Sequence, residues 1–251
     1  MRLVLAWVMA MACLLPLSSL AQDSSGSEAV DAETVHSAFV KLVDRGEMRA
    51  QLFGLPADAF WRRSGGLQIA LLAEDAASLT SSLERVMAIF SEATGQPVSL
   101  IETGASPAPE QDAAGMAPEA DLVIAIGSRP DLAQIAFAEK FDLGMLARFE
   151  LGTLPFMFSF AELPGRRSIV LLADDEPPLA REASFILATV WALGGVTLGP
   201  ELTGLVGNDE ALGPSLTPLG QAVFRLFFND ALTVGMSIEE VNLRAKSLLA
   251  E

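Results

Sequence analysis

The chain has 251 residues, 51% of them hydrophobic and 19% charged, a balance that predicts a compact globule with a sizeable core and excludes a disordered chain. Against 16 Lys and Arg stand 32 Asp and Glu, a formal net charge of −16 whose field disfavours nucleic acid and anionic membrane surfaces as partners.

Arg2 is followed by an apolar run over residues 3–17 and then by the small residues Ser19 and Ala21, the order of a cleavable secretory signal peptide over residues 1–21. The run falls short of the ~20 residues that span a bilayer, so no membrane span is expected and the location is periplasmic or secreted. Cleavage after Ala21 removes Arg2 and no acid, making the remainder one charge more negative. It also removes Cys13, the single cysteine, and with it disulfides, thiolate catalysis and thiolate metal sites. The alternative is a lipoprotein anchored through Cys13, which follows Ala10-Met11-Ala12. Cutting there leaves a very short leader and strands apolar residues 14–17 at the new N-terminus.

Residues 22–30 have the small, polar composition of a flexible tether. Residues 31–251 read as one α/β domain that begins with a helical segment over about 31–60. Val35, Phe39, Leu42 and Val43 mark its buried face, with Asp31 as N-cap. Residues 67–73 predict a strand, and Leu79, Leu83, Val86, Met87 and Phe90 an amphipathic helix closed by Gly95. Residues 98–101 and 121–127 predict further strands, separated by a Pro- and Ala-rich loop over 104–119. A helix over about 132–141, an apolar stretch over 154–160 and a strand over 169–173 follow. From about Leu179 the apolar residues cover the whole circumference of a helix, through Phe185, Leu187, Val190, Trp191 and Leu193, and such a helix belongs inside a domain. Gly194-Gly195 ends it, residues 196–215 read as a Gly-rich loop, and helices over about 218–231 and 237–250 close the chain. Ser237 and Glu240 have the spacing of a capping box.

That order of elements resembles a zincin-like domain, a mixed sheet with a buried central helix and C-terminal helices. The strings ATVWALG at 188–194, LTPL at 216–219, FRLFFNDALTVGMSIEEV at 224–241 and IVLLADD at 169–175 resemble a family of secreted bacterial proteins, domain-of-unknown-function family twenty-nine twenty-seven. The resemblance covers roughly residues 60–249 and is most specific in the C-terminal third, where Phe224, Leu226, Phe227 and Phe228 precede Gly235-Met236-Ser237. It implies the fold and supplies no activity.

A zincin holds its metal through H-E-x-x-H on the central helix, because histidines four apart share one face. The aligned positions here read Leu187-Ala188-Thr189-Val190-Trp191, without a ligand. The single histidine, His36, stands on the first helix and cannot build such a site. Neither metal nor cofactor is therefore expected. No G-x-S-x-G, P-loop or dinucleotide string occurs. Two groups of residues remain as candidates. Asp174, Asp175 and Glu176 end a central strand and could act as acid and base or hold Ca²⁺, although the same residues make a good turn and helix entry. Glu182 and Asp209 are no better candidates of the same kind. Arg62-Arg63 and Arg166-Arg167 could form a small anion-binding or partner-docking patch if the fold joins them, or else guard strand edges. The expected function is non-catalytic binding of a protein or small ligand. A metal-independent hydrolase using the three acids, acting for instance on cell-wall glycans, is the alternative.

Overall fold

The computed structural model describes residues 30–43, 58–108, 117–138, 141–154, 156–160, 167–195, 204–209 and 213–250. The signal peptide, Cys13, most of the tether and Arg166 lie outside the described residues, as does the stretch 44–57 of the N-terminal segment.

The fold is α/β. Helix α1 (Ala32–Val43) precedes β1 (Leu67–Leu72), α2 (Ala76–Thr94), β2 (Val98–Gly104), β3 (Leu122–Gly127), α3 (Arg129–Ala138) and α4 (Leu143–Glu150). Strands β4 (Phe156–Phe160) and β5 (Ser168–Ala173) then lead into α5 (Pro178–Leu193). A hairpin, β6 (Val206–Asp209) and β7 (Gly213–Leu216), precedes α6 (Pro218–Phe227) and α7 (Ile238–Leu248). Five strands form one sheet in the order β2-β1-β3-β5-β4, parallel except for β4, which pairs antiparallel to β5 at the edge.

Continuous apolar runs in β1, β3 and β5 follow from coverage of both sheet faces. Alternate residues serve two cores. Leu67, Ile69, Leu71, Leu122, Ile124, Ile126, Val170 and Leu172 face α1, α2, α5, α6 and α7. Ala70, Leu72, Val123, Ala125, Ile169, Leu171 and Ala173 face α3 and α4. Alanines at 70, 125 and 173 let the short α3 approach the sheet closely.

All ten residues from Ser184 to Leu193 in α5 are buried, as the all-round apolar pattern predicts. Its two buried hydroxyls stay on their own helix. Ser184 donates to the Ala180 carbonyl and Thr189 to that of Phe185. Gly194 stops the helix in the left-handed region at φ 106°, and a Cβ there would stand 2.8 Å from the Arg62 backbone and the Trp61 ring. Among the described residues no helix is long and apolar enough to cross a membrane.

Three features differ from the sequence expectation. The loop expected over 196–215 contains the β6–β7 hairpin. Helix α4 was not expected; Asp142 starts it by accepting from the backbone N–H groups of Gly144 and Met145. The helix expected over 218–231 stops at Phe227, and Asn229 and Asp230 begin a turn towards Ser237.

Candidate functional site

Strand order reverses between β1, which connects to β2 on one side, and β3, which leads to β5 on the other. In open α/β sheets the crevice at the carboxyl ends of such strands is the usual ligand site. Here Ser106, from the segment after β2, crosses it and donates to the Ile126 carbonyl at 2.7 Å. Its Oγ lies where it would be 2.5 Å from a Cβ on residue 127, so Gly127 is what lets the segment seat.

Asp174, Asp175 and Glu176 stand at the same edge, one strand further along. Asp174 is exposed, and its N–H donates to the Gly127 carbonyl. Arg129, at the start of α3, binds the other two. Its Nε and Nη2 form a fork on the Asp175 carboxylate at 3.0 and 2.9 Å, and Nη2 also reaches Glu176 Oε1 at 2.7 Å. Nη1 donates to the carbonyls of Phe149 and Leu154, and the guanidinium lies 5.0 Å from the Phe149 ring centre. The Arg129 side chain is 13% exposed, against 60% for Asp175 and 16% for Glu176. On the other side of the turn, Arg181 donates twice to the Glu176 carbonyl. The hydrogen bond from Arg129 holds the Asp175 carboxyl below its ordinary value; burial opposes it, and the cation's charge adds to the lowering. The arrangement therefore joins β5, α3, α4 and the entry to α5 through one arginine. Glu182 lies inside α5 and accepts from Ser82 and Arg85 of α2, tying the two helices together. Asp209 closes β6.

On α5, the positions where the sequence resemblance would put metal ligands lie in the hydrophobic core. Leu187, Ala188 and Trp191 are buried, and Trp191 is 5% exposed. Its ring lies 4.1 Å from that of Phe158 and 5.7 Å from that of Phe156, both on the edge strand β4. Aromatic packing thus occupies this face. His36, on α1, bonds through Nε2 to the Asn242 carbonyl at 3.2 Å, which places a proton on that nitrogen and links α1 to α7. Among the described residues no group of three or more His, Cys, Asp or Glu is placed to hold a metal ion.

Arg62, Arg63 and Arg167 lie at the opposite, amino-terminal edge, Arg166 being outside the described residues. Arg63 caps the end of α5, its N–H donating to the Leu193 carbonyl and its Nε to that of Ala192. Its Nη1 pairs with Asp121 at 2.7 Å, and Asp121 in turn accepts from the backbone N–H of Gln68. Burial lowers the Arg63 pKa, and Asp121 partly opposes this. Arg167 precedes β5 and is half-buried, two strands away from Arg63. Arg62 turns the other way. Its Nη1 donates to the Phe227 carbonyl at 2.9 Å, and its guanidinium lies 5.4 Å from the Phe228 ring centre.

Arg62 also lines a cleft of about 550 Å³ together with Trp61, Gln96, Phe228, Asp230 and Val234. A short ladder fixes its walls. Phe60 donates to the Met236 carbonyl at 2.7 Å, Gly235 to that of Phe60 at 2.9 Å and Ile238 to that of Asp58 at 2.7 Å. Sequence reasoning singled out Arg62 but not the cleft, because the opposite wall comes from a turn some 165 residues away along the chain. Arg129 was missed for the same reason, its acidic partners lying 46 and 47 residues on. Comparison of the chain with known protein families, with curated proteins and with solved structures returns no match.

Proposed function

We propose that the chain is an exported binding or interaction protein, zincin-like in arrangement, that works without metal-dependent catalysis. The packing of α5 carries this reading. Where the resemblance places metal ligands, Leu187 and Ala188 are buried and Trp191 stacks against Phe156 and Phe158. A hydrolytic metal site needs three ligands and an open position for water, and an aromatic cluster of this kind leaves room for neither. Export is supported by the leader pattern of residues 1–21.

The alternative, a hydrolase working through Asp174, Asp175 and Glu176, needs one carboxyl held protonated near neutral pH as the acid. Arg129 acts in the opposite direction on Asp175. The test is to load the purified chain with zinc, dialyse it, and measure bound metal and peptide cleavage. The expected result is no stoichiometric zinc and no cleavage. Stoichiometric zinc together with cleavage would overturn the reading.

A further inference from the structure

Arg62 and Arg129 are anchored in the same way. Arg62 sends Nη1 to one backbone carbonyl at a helix end and Arg129 to two at a helix end and the turn beyond it, and each lays its guanidinium over a phenylalanine ring, Phe228 for Arg62 and Phe149 for Arg129. They differ at the other side of the guanidinium. The Nε and Nη2 fork of Arg129 holds Asp175 in the paired geometry that suits a carboxylate. The matching fork of Arg62 holds no carboxylate among the described residues. Asp230 acts on Arg62 through its charge alone, and the cleft lies beside it.

We propose that this cleft binds a small monocarboxylate carrying an apolar or aromatic group, with its carboxylate on the Arg62 fork. The cleft's other surfaces set the rest of the ligand. Trp61, Phe228 and the half-exposed Val234 offer apolar contact, while Gln96 lines the cleft with a polar group. One negative charge is favoured over two, because Asp230 lines the same cleft and Arg63 is already paired with Asp121. Both walls are tied together by the 58–60 and 235–238 backbone ladder, so the site is formed before a ligand arrives.

This inference rests on the reading of the chain as a binding protein, and the two fail separately. Zinc content and peptide cleavage decide the first; carboxylate binding decides the second. The purified chain is titrated with benzoate, with its neutral counterpart benzamide, and with inorganic phosphate, following the Trp61 indole N–H signal by NMR. Benzoate is expected to move that signal saturably, with benzamide about tenfold weaker or worse because it lacks the charge-assisted bidentate pair, and phosphate weaker because it lacks the apolar group and carries more negative charge. Arg62→Gln should weaken benzoate by about tenfold or more. Because that variant also loses the bond to Phe227, Val234→Asp is the second arm: it adds a like charge at a half-exposed site and leaves the arginine's anchors in place. It should weaken benzoate with the unfolding midpoint unchanged, whereas Asp230→Asn should strengthen benzoate. Equal binding of benzoate and benzamide, an unmoved Trp61 signal, or full benzoate affinity in Val234→Asp would overturn the proposal.

Discussion

Replacing Arg129 by methionine keeps an unbranched stem over the Phe149 ring and removes the guanidinium with its five hydrogen bonds. Three losses follow, of unequal size. Glu176 is 16% exposed and would be left without its cation. Breaking a fully buried pair costs about 3–5 kcal/mol, and partial wetting reduces this to about 2. The carbonyls of Phe149 and Leu154 each lose a charged donor, worth about 1 kcal/mol apiece once water takes part of its place. Asp175 is 60% exposed and adds almost nothing, as solvated pairs do. The expected loss is about 4 kcal/mol, which for a chain of this size lowers Tm by about 10 °C. Urea unfolding followed by circular dichroism measures it. Adding Glu176→Gln to the variant removes the stranded charge and should return about 1–2 kcal/mol. A loss below about 1 kcal/mol in the single variant, or no recovery in the double, would show that Arg129 is not the joint described and would leave the three acids free for other work.

Trp191→Ala should cost about 3–5 kcal/mol, since it empties the space against Phe156 and Phe158 where the core cannot collapse from both sides; the same urea titration checks it. The Asp175 carboxyl is held below its ordinary value of 3.8, so its bond to Arg129 adds stability above that pH and loses it as pH falls through the lower folded value. Because this pair is largely solvated, the stability advantage of the unmodified chain over Arg129→Met should shrink only slightly from Asp175 as acid titrations pass below the ordinary carboxylate range, with the unfolding midpoint against pH as the readout.

The parts of the fold legible in the sequence are those where burial leaves a period or a run. Strands β1, β3 and β5 are buried along their lengths or nearly so, and their runs of Leu, Ile, Val and Ala announce it. Helices α1 and α2 present one apolar stripe each, and α5 an unbroken one. The β6–β7 hairpin left no such mark, because Val206–Asp209 and Gly213–Leu216 are short, carry one β-branched residue between them, and include a proline and two glycines. Helix α4 has eight residues, too few to establish a period. The acids at 174–176 were visible as a cluster, but their partner was not, since nothing local marks an arginine at position 129 as theirs. Arginine pairing across strands is decided by the sheet order, which a single sequence does not spell out.

The end of α5 shows how the buried helix and the cleft form one mechanical unit. Gly194 turns the chain by its positive φ and leaves room for the Trp61 ring and the Arg62 backbone. Arg63 then closes the last carbonyls of the helix and pins itself to Asp121 at the foot of β3, while Arg62 reaches across to the end of α6. Adjacent arginines thus anchor in different places, Arg63 on the last turn of α5 and Asp121 and Arg62 on the end of α6, and both line the cleft. A site built on a helix end, a sheet edge and a backbone ladder is stiffer than one carried on a loop. That stiffness would suit the proposed carboxylate site, since a pre-formed site holds one small group selectively rather than accommodating many.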